Sequence, residues 1–225
     1  DLTSYKKFDE ILTKANLPDH LYPKLLMGNH DDRQIFKSHF TITPTDKNGF
    51  VQYDIEIEDK RFLFLDTVQK NSHAGHYCDK RQSWLENKLD ESLKKSQNVF
   101  IFMHHNPFPL VQLESDLIGL LDRDQFKAII ENYKNTIKHI FFGHQHITVS
   151  GNYLGIPFSS PRSINHPLVP NFSNEYRLGS ANTEPSYNIA LINNDSLIIH
   201  NEDFLKVETN WFETTKSGWI EESDN

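Results

Sequence analysis

Three short apolar runs, each breaking off into glycine, amide or imidazole, set the pattern of this chain. Leu25-Leu26-Met27 leads into Gly28-Asn29-His30-Asp31, Phe100-Ile101-Phe102-Met103 into His104-His105, and Ile140-Phe141-Phe142 into Gly143-His144-Gln145-His146. Runs of this length suit strands buried on both faces, and Gly28 lets the backbone turn where the first run stops. Functional groups of open α/β sheets collect just beyond the carboxyl ends of strands. Each run is therefore predicted to be a strand that delivers polar side chains at its tip.

Between these runs the period changes. Tyr5, Phe8, Ile11, Leu12 and Ala15 recur at helical spacing behind Thr3, a predicted N-cap, and that helix should end before Pro18. Asp31 or Asp32 can cap a short helix through Arg33, Ile35, Phe36 and Phe40. Val51, Tyr53, Ile55 and Ile57 alternate, Asp59-Lys60 turns, and Arg61 to Leu65 returns as a strand ending in Asp66-Thr67. Trp84, Leu85, Leu89 and Leu93 mark a helix over about 80–95, and Phe126, Ile129, Ile130 and Tyr133 another behind Asp124. Val149 to Ser160 should pair as strands, residues 161–186 form a long irregular loop, and Ile189 to Ile199 closes as a hairpin. Strands alternating with helices, plus hairpins, predict an α/β domain with mixed sheets.

Composition changes the picture little. At 225 residues, with 37% apolar and 24% charged residues, one domain with a substantial core is the default. The longest apolar runs fall far short of the ~20 residues of a membrane span. Net charge is −8 with no cluster of Lys and Arg, which argues against gripping a nucleic-acid backbone. One cysteine, Cys78, excludes an internal disulfide and fits a reducing, cytoplasmic setting. Without an evident activating partner in sequence it reads as inert.

The chemistry lies in the strand-tip residues. Asparagine and neutral histidine bind divalent metals through one oxygen or one ring nitrogen and suit Mn, Fe, Co, Ni or Zn better than Ca or Mg. Taken singly, Gly28 to Asp31 could be a turn with a helix cap, and His104 to Pro107 a strand end breaking into a turn. Three such tips in one chain favour a shared site. His73 and His76, in a polar loop, read as solvent-facing, with a substrate-side role as the alternative. His20, His39, His139 and His200 read as surface or packing residues. Trp211 and Trp219 either pack onto the body or form a subunit contact, as in a homodimer.

These residues resemble the calcineurin-like binuclear metallophosphoesterases, and within them the bacterial class III 3′,5′-cyclic nucleotide phosphodiesterases. The likeness rests on Gly28-Asn29-His30-Asp31-Asp32-Arg33, Leu65-Asp66-Thr67, Trp84-Leu85, Met103 to Pro107 and Gly143 to His146. The resemblance implies a four-layered α/β sandwich, with two mixed sheets face to face and helices outside. It implies two divalent transition-metal ions, with Asn29, His104 and His144 on one and His146 on the other. His105 would stand beside the site without holding metal. His30 would contact the phosphoryl group and protonate the leaving alkoxide. In such sites two ions about 3.5–4 Å apart clamp the phosphoryl group and hold a bridging hydroxide for in-line attack.

The family opens with Asp-x-His and Gly-Asp-x-x-Asp motifs that this sequence lacks, unless Asp1 stands for the bridging aspartate rather than merely preceding the helix. The expectation is thus a metallophosphoesterase domain over residues 1–205, missing its N-terminal strands and inactive alone, followed by a tail over 206–225. The whole enzyme would act on a cAMP-like substrate. A glycerophosphodiester or 2′,3′-cyclic nucleotide, or a non-catalytic metal-binding role, are the alternatives. A nuclease is disfavoured by the acidic balance.

Overall fold

Asp1, not Thr3, caps the first helix, α1 (Leu2–Ala15): its carboxylate accepts from the Ser4 amide at 2.9 Å and the Ser4 hydroxyl at 3.2 Å. A carboxylate both satisfies an orphan amide and complements the positive end of the helix, so it wins the position. The helix stops at Asn16, in the left-handed conformation, before Pro18. The computed structural model describes residues 1–111, 116–173 and 175–204; the predicted tail, with Trp211 and Trp219, lies outside them.

Asp32 is the cap of α2 (Arg33–His39), accepting from the amides of Gln34 and Ile35. Tyr5 packs against Phe36 and Phe40, and with Met27, Val51 and Val68 they form a small apolar cluster. Leu25 to Met27 run between the two helices, but they form no strand. Among the described residues no ladder pairs with them. The Leu25 carbonyl instead accepts from the Tyr53 hydroxyl at 2.7 Å. An apolar run alone does not make a strand; a hydrogen-bonded neighbour does.

The main sheet has six strands in the order β1-β2-β3-β4-β6-β5. They are β1 (Tyr53–Ile57), β2 (Lys60–Phe64), β3 (Asn98–Phe102), β4 (Ile137–Phe141), β5 (Val149–Tyr153) and β6 (Ile156–Ser160). The inner four run parallel, and β1 and β5 flank them antiparallel. The crossovers between β2, β3 and β4 carry α3 (Asp79–Lys94) and α4 (Arg123–Asn132). Their apolar stripes, Leu85 and Leu89, Phe126 and Ile130, bury against Leu63, Val99, Ile101 and Ile140. α4 follows Asp122 rather than Asp124, and the Asp122 carboxylate is spent on Nδ1 of His76 and the Tyr77 amide.

Strand side chains alternate faces, so the opposite face shows the other set. There Phe62 stands opposite Phe100, Phe64 opposite Phe102, and Phe102 opposite Phe141, with ring centroids 5.3, 5.1 and 4.7 Å apart. Over part of this face lies a two-stranded ribbon, β9 (Ser186–Ile192) with β10 (Leu197–Asp203). Its Ile192, Leu197 and Ile199 border a cavity of about 500 Å³ with Phe100, His139 and Pro157. The region read as irregular loop holds a second small ribbon, β7 (Leu168–Val169) with β8 (Gly179–Ser180). The architecture is therefore α/β with one mixed six-stranded sheet; beside it the described residues form ribbons, not a second mixed sheet. No helix among the described residues is long and apolar enough to cross a membrane.

Candidate metal centre

Asp66-Thr67, Met103-His104-His105 and Phe142 to His146 all follow the carboxyl ends of parallel strands β2, β3 and β4. Adjacent parallel strands of matched length bring their tips together, so residues far apart in sequence meet there. Oδ1 of Asn29 lies 2.9 Å from Nε2 of His104, which lies 3.2 Å from Nδ1 of His144. Gly28 permits this approach, since a Cβ at that position would stand 2.9 Å from Cε1 of His104.

Ring protons follow from the partners. Nε2 of His144 lies 2.9 Å from the Ile118 carbonyl, and Nδ1 of His146 lies 3.0 Å from the His166 carbonyl. A carbonyl only accepts, so those nitrogens carry the protons, and Nδ1 of His144 and Nε2 of His146 keep their lone pairs. His104, His105 and His144 form the group of three ligand types whose atoms lie within 4.8 Å of one another. His105 is nevertheless committed elsewhere. Its Nε2 donates to the His73 carbonyl at 3.1 Å, and its Nδ1 takes the Thr67 hydroxyl at 2.7 Å. With both nitrogens engaged it has no lone pair to offer, and the Asn29 oxygen completes the convergent set instead.

Burial, reinforced by the imidazoles of His105, His144, His146 and His30, pushes His104 well below the ordinary histidine range. Burial likewise holds His144 down to about 4 and His105 to about 3, and lowers His146. These rings are neutral near pH 7. Neutral imidazole nitrogens facing one another with an amide oxygen repel unless a proton or a cation stands between them. The donor set of one oxygen and two nitrogens fits a divalent transition metal.

His144 and His146 have φ of 68° and 56°, left-handed values for non-glycine residues. On an extended strand, histidines two apart point to opposite faces. Two left-handed residues, each costing on the order of 1 kcal/mol, bend the backbone and change both directions. Gln145 between them is buried, its amide donating to Oδ1 of Asn106.

His30 is exposed, its ring 5.5 Å from that of His73, at the mouth of a groove of about 800 Å³ whose walls include Gln34, Lys37 and Lys70. Asp31 is fixed: it accepts from the Tyr5 hydroxyl and the Gly28 amide, both at 2.7 Å. Below the groove, buried Asp66 takes a two-pronged contact from Arg33 at 2.7 and 2.8 Å, while Arg81 donates to the Asp66 carbonyl at 2.7 Å.

Sequence reading missed several contributors. His73 is exposed, as the sequence suggests, but its Nδ1 also lies 3.1 Å from Nδ2 of Asn29. His76 is paired with Asp122 at 2.6 Å. The carbonyls of Ile118 and His166 have no signature at all, because any residue supplies a carbonyl. Cys78 does have a partner: burial raises its thiol pKa, but Arg81 more than offsets that and leaves it below the ordinary value. His139 is a packing residue, buried with Nε2 2.9 Å from the Ser159 hydroxyl.

A mixed α/β sheet with histidines and an asparagine gathered at its parallel strand tips defines a class, and comparison identifies it. Residues 1–148 match the model of the calcineurin-like phosphoesterases, and the chain belongs to that family. It is 31% identical over 183 residues to a probable cyclic nucleotide phosphodiesterase of Rhodopseudomonas palustris, covering 80% of this chain and 66% of that protein. It is 33% identical over 161 residues to a probable cyclic nucleotide phosphodiesterase of Coxiella burnetii, covering 70% of this chain and 59% of that one. A glycerophosphodiester phosphodiesterase of Enterobacter lignolyticus matches at 32% over 130 residues, 56% of this chain and 45% of the other. The chain thus spans about two thirds or less of the length of these relatives. In fold it is similar to a dimetal phosphatase from Danio rerio, with a TM-score of 0.51 and 17% identity over 61% of this chain and 59% of that one.

Proposed function

We propose that the whole protein is a metal-dependent phosphodiesterase acting on a 3′,5′-cyclic nucleotide such as cAMP. The observation that carries this reading is the convergence of Oδ1 of Asn29, Nε2 of His104 and Nδ1 of His144 at the strand tips. In this reading Asn29, His104 and His144 hold one divalent cation and His146 offers Nε2 to a second. Such cations, when bound, polarise phosphoryl oxygens and lower the pKa of water. The chain's own residues do the rest. The Ile118 and His166 carbonyls orient two of the rings. His30 stands at the groove mouth, free of the contacts that commit Asp31, and in its protonated form gives a proton to the departing alkoxide oxygen.

The cyclic-nucleotide assignment draws on the names of the Rhodopseudomonas and Coxiella relatives. The Enterobacter relative supports the second reading, a glycerophosphodiester or another small diester. In the whole protein we place Leu25 to Met27 and the β9–β10 ribbon in the second sheet of a four-layered sandwich, because Leu26 and Ile199 both border the aromatic face of the main sheet. The single cysteine supports a cytoplasmic setting. The test compares hydrolysis of cAMP, glycerophosphoethanolamine and bis(p-nitrophenyl) phosphate by the Mn²⁺-loaded whole protein. Turnover of cAMP is expected. If cAMP is untouched while the others are cleaved, the second reading replaces the first; if none is cleaved, the protein is a non-catalytic metal binder.

A further inference from the structure

Asn29 reaches in two directions. Its Oδ1 faces Nε2 of His104, while its Nδ2 lies 3.1 Å from Nδ1 of His73 on the loop between β2 and α3. We infer that His73 is a positioning residue: its Nδ1 accepts from the Asn29 amide nitrogen and so fixes the Asn29 oxygen toward His104 and His144. This rests on the reading of Asn29 as a cation ligand.

The physical case is one of symmetry breaking. An amide side chain can turn over by half a rotation and exchange its oxygen for NH₂ at almost no steric cost. Presented nitrogen-first, Asn29 would offer a donor where a cation needs an acceptor. A partner that accepts from Nδ2 favours the oxygen-inward orientation. An amide nitrogen only donates, so with Oδ1 toward His104 the His73 ring it faces accepts at Nδ1.

The backbone of His73 is held independently. Its carbonyl takes Nε2–H of His105, and Nδ1 of His105 is held by Thr67. Two residues on, Gly75 exchanges hydrogen bonds with the strand-tip segment beside it: its amide donates to the Gly119 carbonyl at 3.0 Å and its carbonyl accepts from the Leu121 amide at 2.9 Å. A Cβ on Gly75 would stand 2.6 Å from Cγ of His105, so this close seating needs glycine there. The loop that carries the imidazole is therefore anchored by contacts that do not involve that imidazole. Changing the ring should alter Asn29 without releasing the loop.

Outer partners of metal ligands typically change affinity about 10–100-fold when removed. The test uses the whole protein and Mn²⁺ alone, titrated by calorimetry at pH 7.5, with His73→Phe and His73→Asn. Phenylalanine keeps a ring but has no acceptor; asparagine puts an oxygen near the place of Nδ1. The expected result is Mn²⁺ binding about tenfold or more weaker in His73→Phe, restored to within about threefold in His73→Asn. The Asn29 side-chain amide pair in a ¹⁵N correlation spectrum should shift in His73→Phe and return in His73→Asn. Equal Mn²⁺ affinity in wild type and His73→Phe, or no rescue by asparagine, overturns the positioning role while leaving the metal centre standing. An unmoved Asn29 amide pair overturns it too, whatever the affinity. No Mn²⁺ binding by the wild-type whole protein would overturn the metal-centre reading itself, and this inference with it.

Discussion

Oδ1 of Asn29 and Nε2 of His104, 75 positions apart in sequence, lie 2.9 Å from each other. Nothing local holds them there. The first sits on a turn between two helices, the second on the tip of β3, and the fold alone brings them into register. Removing either ring or amide leaves the partners in place but takes one atom from the convergent set. His104→Ala is accordingly expected to lower metal content and diesterase activity together, by at least tenfold each. Elemental analysis alongside a hydrolysis assay reads both. Full metal content in the variant would remove His104 from the ligand set.

His30→Ala separates binding from proton transfer. General acids contribute about 10²–10⁴-fold to rate, so turnover should fall within that range while metal content stays at the wild-type level. Loss of metal in this variant would show that His30 is a ligand and not the acid.

Binding of a cation to the folded chain alone must raise its stability. Free Mn²⁺ at about a hundred times its dissociation constant adds about 2.7 kcal/mol. The midpoint of thermal unfolding should rise with Mn²⁺ concentration and fall back with chelator. A midpoint indifferent to Mn²⁺ in wild type and in an Asn29→Ala control alike would contradict a site at these residues.

Without metal, stability should fall in acid. His144 and His139 titrate at about 4 and His105 at about 3 in the folded chain, each brought down mainly by burial. An unfolded histidine titrates near 6.5, at about that value. Between those limits the unfolded chain binds more protons, so the contribution is whole above about pH 6.5 and is lost as pH falls toward 4, at about 1.4 kcal/mol per pH unit for each group. Unfolding midpoints of chelator-treated protein between pH 4 and 7 read this slope. A flat profile would mean that the rings are solvated.

The buried Asp66 carboxylate joins α2, the end of β2 and α3 through Arg33 and Arg81. Breaking one partner of a buried charged pair costs about 3–5 kcal/mol. Asp66→Asn should lower the denaturant midpoint accordingly. A cost below about 1 kcal/mol would mean the arginines find water instead.

Which parts of this could be read from sequence follows from how each part is encoded. The strand tips were legible because a short apolar run closed by glycine, amide or imidazole is a local signal, and β3 and β4 carry it. The same signal at Leu25 to Met27 misled, since a strand also needs a hydrogen-bonded neighbour and sequence shows only the run. Thr3 was a reasonable cap, but Asp1 offered a charged acceptor one position before the helix. The contact of His73 with Asn29 could not be read, because it depends on a loop folding back across the β2 end. The orienting carbonyls of Ile118 and His166 could not be found by any reading of side chains. Nor could the left-handed backbone at His144 and His146, which is what redirects two histidines of a Gly-His-Gln-His stretch.

The seat of His104 against Gly28 leaves no room for a Cβ. Any other amino acid at residue 28 installs one, so a replacement there reaches the cation site indirectly, by pushing the imidazole at 104 out of line with its partners.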